Sequence, residues 1–291
     1  MEEMTKQPVV ESPPQKKRKS GLLGRLAKII LVLVFIWWFN NFTIKINKCK
    51  ITSDKVETKV RIAVISDLHA SKMSVNNSSV LKKIKKADPD FVCVLGDMHS
   101  NGANEEEKTQ SLELMTDIED SGYEVYFVLG EHDDRTTKYV DKMEAQGIDV
   151  LDYETADIEV GDTKVRLYGI SNAYFSPTFD LSHEFGTPES EFYNILLAHI
   201  PNCSAYEKFG ADLTICGDTH GGVIQIPFCG PAYYDGEVLP ELTGDSENIY
   251  DKGLFSYDGG YMFITSGLGN YPIPLRFNNR PEVALLEIGA E

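Results

Sequence analysis

Five short polar segments, each set directly behind an apolar run, constrain this 291-residue chain more than any other feature. Asp67-Leu68-His69 follows residues 60–65, Gly96-Asp97 follows 91–95, and Gly130-Glu131-His132-Asp133 follows 125–129. His199, in Leu197-Ala198-His199-Ile200-Pro201, follows the run 195–198, and Gly217-Asp218-Thr219-His220 follows 213–216. These short apolar runs, separated by turn residues, predict buried strands. Side chains at strand ends are held by a rigid frame yet face a cleft, as a reactive site requires. Four of the six histidines fall in these segments, a concentration that packing alone does not explain.

The residue types point to metal chemistry. Carboxylates supply hard oxygens and imidazoles borderline nitrogens, so an Asp-x-His, a shared Asp and distant histidines suit two adjacent divalent ions. A bridging Asp holds such ions about 3.5–4 Å apart and leaves a hydroxide between them as nucleophile.

The first stretch differs in kind. Residues 29–39 form an unbroken apolar run, extendable to 22–42 if Arg25 and Lys28 snorkel near one end. Trp37, Trp38 and Phe39 stand at the far end, where interfacial aromatics belong. Lys16, Lys17, Arg18 and Lys19 precede the run, and by the positive-inside rule that end stays cytoplasmic. The same cluster matches a nuclear-localisation or nucleic-acid patch, but a basic group directly before an apolar run is more simply a topology signal. A cleaved signal peptide needs a small-x-small site, which Asn40-Asn41-Phe42-Thr43 does not offer. The expected organisation is therefore a cytoplasmic basic tail over 1–21 and a transmembrane signal anchor over 22–42. A polar connector over 43–57 and one extracytoplasmic domain over 58–291 follow. The protein is expected at the cell membrane as a single-pass chain.

Charge separates along the chain. Residues 1–45 hold eight Lys/Arg against three Asp/Glu, leaving 20 of the 28 basic and 42 of the 45 acidic residues for the remainder. So acidic a domain lacks the basic stripe that tracks nucleic-acid phosphates, and no nucleic-acid partner is expected. It would also repel anionic substrates unless bound cations reverse the field locally. The five cysteines lack metal-type spacing; Cys93 and Cys216 read as buried hydrophobes, and a Cys203–Cys229 disulfide stays open.

Beyond the connector, strands at 60–65, 91–95 and 125–129 alternate with helices over 78–86, 105–120 and 136–145, the rhythm of βαβ units and a largely parallel sheet. A hairpin is expected over 157–168, around Gly161-Asp162. The later strands near 223–226, 261–265 and 282–288 lack long helices between them, which implies a second, mixed or antiparallel sheet packed on the first. Residues 227–252 read as a long Gly/Pro-rich loop region.

Taken in order, these segments resemble the calcineurin-like metallophosphoesterases over about residues 58–290. The family pattern runs D-x-H, G-D, G-N-H-[DE], H, then G-H-x-H. Ser266-Gly267-Leu268-Gly269 and Pro274-Leu275-Arg276-Phe277-Asn278-Asn279-Arg280-Pro281-Glu282 look like the C-terminal signature of the bacterial membrane-associated branch, which includes phosphoesterases similar to UDP-2,3-diacylglucosamine hydrolases. The resemblance implies an α/β fold, a two-sheet metallophosphoesterase sandwich flanked by helices, preceded here by one N-terminal transmembrane helix. It implies two divalent metal ions (Mn, Fe, Zn or Mg) and hydrolysis of phosphodiester, pyrophosphate or phosphomonoester bonds in a phosphorylated small-molecule or lipid-linked substrate. Carried over by residue, Asp67, His69 and His220 would hold the first ion, Asp97 would bridge, and His199 would bind the second. His132 would stabilise charge or protonate the leaving oxygen, and Asp133 would orient it.

This chain departs from the pattern twice, with Glu131 where the family has Asn and Asp218 where it has the first His of G-H-x-H. Both positions belong to the second ion, so two neutral ligands are replaced by two anionic oxygen ligands. That predicts a harder second site, favouring Mn²⁺, Mg²⁺ or Ca²⁺ over Zn²⁺. The alternatives are an altered or empty second site, or a catalytically weak member that serves as an anchored binding or scaffold protein. His99 reads as a solvated loop histidine or a substrate contact, and Arg276 and Arg280 as a phosphate clamp or structural ion pairs.

Overall fold

The computed structural model describes residues 20–171, 180–234, 237–238 and 250–290. The basic tail up to residue 19 and most of the expected loop region between 235 and 249 lie outside the described residues. The first helix, α1, runs Ser20–Phe42, and its stretch Leu23–Phe42 is long and apolar enough to cross a membrane. The compact unit begins inside that helix, at Trp37.

The unit opens with β1 (Lys45–Thr52) and β2 (Val60–Ile65), then α2 (Asn77–Ala87), β3 (Phe91–Val94), α3 (Glu105–Glu119), β4 (Val125–Phe127), α4 (Thr137–Glu144) and β5 (Ile148–Val150). After these come β6 (Glu154–Val160), β7 (Thr163–Ile170), α5 (Ser182–Phe185), β8 (Tyr193–Ala198), α6 (Cys203–Phe209) and β9 (Leu213–Cys216). Two short ribbons follow, β10 (Gln225–Ile226) with β11 (Gly230–Pro231) and β12 (Tyr233–Tyr234) with β13 (Glu237–Val238). Strands β14 (Gly253–Tyr257), β15 (Gly260–Ile264) and β16 (Glu282–Gly289) complete the chain.

Two six-stranded sheets result, ordered β1-β16-β2-β3-β4-β5 and β14-β15-β9-β8-β7-β6. Strands β2 to β5 run parallel, as do β15, β9, β8 and β7. Side chains alternate across a strand, so each parallel strand feeds two apolar layers. Ile62, Val64, Phe91 and Cys93 meet Val165, Leu167, Ile195 and Ile215 between the sheets. Ala63, Ile65, Val92 and Val94 pack outward with Val80, Ile84, Leu114 and Met143 of α2 to α4. On the other side, Tyr168, Leu196 and Cys216 pack with Tyr206 and Phe209 of α6. The helices are cut where capping predicts: Asn104 and Glu107 form a reciprocal capping box at α3, and Asn76 caps α2.

Two expectations change. The stretch 43–57, read as a connector, contributes β1, which pairs along its whole length with β16. Its lysines disguised it: Lys45, Lys48 and Lys50 mark an edge strand guarded by charge, while Ile51 is buried. The last strand, β16, does not join the second sheet but inserts antiparallel beside β2 in the first. The hairpin over 157–168 is β6–β7. Cys203 and Cys229 are both free, without a disulfide between them.

Candidate active site

All five polar segments emerge from the carboxyl ends of parallel strands, β2, β3 and β4 in one sheet and β8 and β9 in the other. The sandwich brings these ends together. Asp67, Asp97 and His199 offer donor atoms within 4.8 Å of one another, as do Asp67, His69 and His220, and again Asp97, Glu131 and His132. Asp67 and Asp97 are each shared by two of these groups, so the clusters are contiguous.

The backbone is bent to achieve this. Asp67, His69, Asp97, Asp218 and His220 all have positive φ, between 43° and 68°. Left-handed backbone costs a non-glycine residue free energy and persists where the surroundings over-determine it, typically at functional sites. Gly96 and Gly130 are needed where two of the turns cross: a Cβ on Gly96 would strike the Gly130 backbone, and one on Gly130 would strike the Asp97 carboxylate.

Hydrogen bonds fix which ring atoms face the cluster. His199 Nδ1 lies 2.5 Å from the Leu95 carbonyl oxygen, so it carries the proton and Nε2 points inward. That Nε2 is buried without a hydrogen-bond partner, 3.3 Å from Asp97 Oδ2 and 3.8 Å from Asp218 Oδ1. A histidine that donates one ring N–H to a backbone carbonyl and aims the other nitrogen at carboxylates has the posture of a metal ligand. His69 Nε2 and His220 Nε2 converge to 3.2 Å, with Asp67 Oδ1 3.9 Å from the latter. The donor set therefore fits divalent cations.

Electrostatics agree with that fit. Burial, reinforced by His132, His199 and Arg276, drives His69 down to about 3, and burial likewise holds His220 well below its ordinary value. Burial lifts Asp67 to about 7. It opposes ionisation of Asp97 too, but the closeness of His199 outweighs it and holds that carboxyl at about 2. His199 would be neutral by burial alone, yet Asp97, Asp67 and Asp218 raise it to about 10. A cation held by His199 Nε2 would take the place of that proton.

His132 is held differently from expectation. Its Nδ1 accepts the Asn101 N–H at 3.2 Å, which leaves Nε2 as the protonated nitrogen of the neutral ring, 3.9 Å from Asp97 Oδ2. Asp133, expected as its orienter, faces the other way. Its buried carboxylate accepts the N–H groups of Asp97 (2.7 Å), Met98 (2.9 Å) and Gly130 (2.9 Å), clamping the turns after β3 and β4 together. His99 is neither solvated nor open to substrate: it is 1% exposed, accepts the Asp134 N–H and stands edge-on to Tyr139. Arg276 is buried against the carbonyls of Gly269 and Asn279, and Arg280 bonds Thr43 and covers the Phe39 ring, so neither clamps a phosphate.

Access runs over one lip. Asp67, His69, Asp97 and His199 are buried, whereas His132, Glu131 and Asp218 keep side-chain exposures of 20%, 35% and 34%. The two residues that depart from the family pattern therefore stand at the mouth. Tyr271, which nothing in the sequence marked, stacks on His69 (ring centroids 4.4 Å, 18°) and lies 5.2 Å from the His132 ring.

The family model described as calcineurin-like phosphoesterase matches residues 60–222, from β2 through the His220 turn. The chain belongs to that family. Among relatives of this calcineurin-like phosphoesterase, the uncharacterized metallophosphoesterase YkuE of Bacillus subtilis (strain 168) is 24% identical over 236 residues, 78% of each chain. The uncharacterized metallophosphoesterase YkoQ of the same strain is 26% identical over 280 residues, 90% of this chain and 98% of the relative. A shorter match, 31% over 101 residues and 34% of each chain, is to the phosphodiesterase YaeI of Escherichia coli (strain K12). The protein is thus a metallophosphoesterase, and the family's divalent-metal chemistry falls on the Asp/His clusters described above.

Proposed function

We propose that this phosphoesterase holds two divalent ions side by side and hydrolyses phosphodiester, pyrophosphate or phosphomonoester bonds at the membrane surface. One observation carries the reading: three groups of donor atoms, each lying within 4.8 Å, are joined to one another through Asp67 and Asp97. Asp67, His69 and His220 would hold the first ion, with Asp97 between the two. His199, Glu131 and Asp218 would complete the second. Bound there, paired ions polarise a phosphoryl oxygen and lower the pKa of water.

The chain's own residues account for the rest. His132 presents its Nε2–H at the open lip, suited to donate a hydrogen bond to the charge developing on the leaving oxygen. Asp133 positions Asp97 through the backbone. Glu131 and Asp218 make the second half oxygen-rich, which favours Mn²⁺, Mg²⁺ or Ca²⁺ over Zn²⁺. Their charges also repel phosphate, so substrate binding should depend strictly on the ions. The apolar length of Leu23–Phe42 and the preceding lysines support a single-pass anchor with the catalytic unit outside the cytoplasm.

Hydrolysis of bis-p-nitrophenyl phosphate and p-nitrophenyl phosphate by the full chain, with Mn²⁺, Mg²⁺, Ca²⁺ and Zn²⁺ in turn, tests this. Metal-dependent turnover abolished by Asp97→Ala is the expected result. Turnover that persists in a chelator, or in Asp97→Ala, would refute it.

A further inference from the structure

The loop after Leu268 turns its charge inward and its apolar side chains outward. Arg276 is 3% exposed, whereas its neighbours Leu275 and Phe277 are 51% and 49% exposed, and Ile273 is 55% exposed. A soluble loop places these residue types the other way round, and an outward run of Ile, Leu and Phe marks a surface that meets an apolar phase.

The same loop is fastened to the last turns of α1. Trp37 Nε1 donates to the Pro274 carbonyl at 2.8 Å, and Arg276 N donates to Asn41 Oδ1 at 2.8 Å while Asn41 Nδ2 donates back to the Arg276 carbonyl at 3.1 Å. Asn278 N donates to Asn40 Oδ1 (2.9 Å), Asn270 Nδ2 to the Asn41 carbonyl (3.0 Å), and Arg280 lies 4.3 Å over the Phe39 ring. The loop therefore lies against Trp37 and Phe39, which stand near the end of an apolar span long enough to cross a bilayer. Its first aromatic, Tyr271, stacks on the site residue His69.

We infer that the loop 271–277 seats Ile273, Leu275 and Phe277 in the lipid headgroup–acyl boundary, so that the active site takes a phosphate ester carried by a membrane amphiphile. Charge points the same way: an acidic domain gains nothing electrostatically from anionic headgroups, and the contact must be apolar. This inference rests on the anchored-phosphoesterase reading, and two measurements separate its failure from that reading's failure.

The first needs no turnover. The full chain carrying Ile273→Cys and Cys229→Ser, labelled with a nitroxide at position 273 in phosphatidylcholine nanodiscs, is expected to be relaxed more by oxygen than by a water-soluble nickel chelate. The Cys229→Ser chain supplies the background from the other cysteines. A label relaxed mainly by the chelate would overturn the inference, and dipolar coupling between labels would assign the face to a second copy instead, also overturning it. The second compares dodecyl p-nitrophenyl phosphate embedded in the discs with soluble bis-p-nitrophenyl phosphate. Ile273→Glu with Leu275→Glu should lower turnover of the embedded ester at least tenfold and leave the soluble ester within twofold. Equal changes on both esters would contradict the inference. If neither ester is turned over by the unaltered chain, the phosphoesterase reading fails, and the nitroxide still decides where the loop lies.

Discussion

Adjacent residues in Gly130-Glu131-His132-Asp133 do separate jobs. The His132 imidazole faces the cleft, whereas the Asp133 carboxylate is buried and satisfies three backbone N–H groups from two loops. Burial and the nearby Asp97 raise the Asp133 pKa, and the Gly130 N–H and His99 oppose that rise. The roles separate on substitution. His132→Ala should lower kcat by about 10²–10³-fold, the range for a lost hydrogen-bond donor to developing charge, with the urea midpoint and metal content unchanged. Asp133→Asn should lower stability by about 2–3 kcal/mol, since an amide cannot accept all three N–H groups and buried donors are left unpaired. Comparable midpoints for the two variants would show that Asp133 is not the clamp. The Asp and His residues of the clusters were legible in the sequence because each lies just behind an apolar run. The direction in which Asp133 faces was not, because it depends on how closely two turns cross at Gly96 and Gly130.

At the scale of elements, the strand that sequence reading missed completes the first sheet. Lys45 of β1 reaches Glu282 of β16 at 2.9 Å, and Glu282 also accepts the Ser266 N–H. Burial alone would raise the Glu282 pKa, but the charge and hydrogen bond of Lys45 and the bond from Ser266 outweigh it and hold it below the ordinary 4.5. Breaking a buried pair costs about 3–5 kcal/mol. Lys45 is one-third exposed, which discounts the loss from Lys45→Met to about 2 kcal/mol. The sign with pH follows from a depressed folded-state pKa. The pair's contribution is present above about pH 4.5 and is lost as pH falls through the lower folded value. Urea midpoints of wild type and Lys45→Met should therefore differ most near neutrality and converge on acidification; a gap that widened in acid would contradict the pairing. Pairings such as β1 with β16 join opposite ends of the compact unit, and no local periodicity encodes them. The parallel strands β2 to β4 were readable because each is an apolar run followed by a helix, the first two of those helices capped by Asn76 and Asn104.

Across the whole molecule, each sheet contributes the carboxyl ends of parallel strands to the site, besides half of the apolar layer between them, and both donor groups that contain Asp67 draw on the two sheets together. Asp67, Asp97 and Glu131 come from one, His199, Asp218 and His220 from the other. Burial grades from the Asp67–Asp97 floor to the Glu131–Asp218 lip, so charge is most desolvated where cations fit and most accessible where substrate must enter. Asn41, fully buried and bonded to Arg276, ties the end of α1 into the same unit. On the proposed reading both halves of the cluster are cation sites, and Glu131 and Asp218 serve the second. Metal content per chain, measured by plasma mass spectrometry after equilibration with Mn²⁺ and dialysis, tests it most directly. Two ions are expected in the wild type and fewer in Asp97→Ala, with Zn²⁺ displacing Mn²⁺ readily only when Glu131→Asn and Asp218→His are combined. One ion in the wild type, with a second appearing only in that double variant, would contradict it.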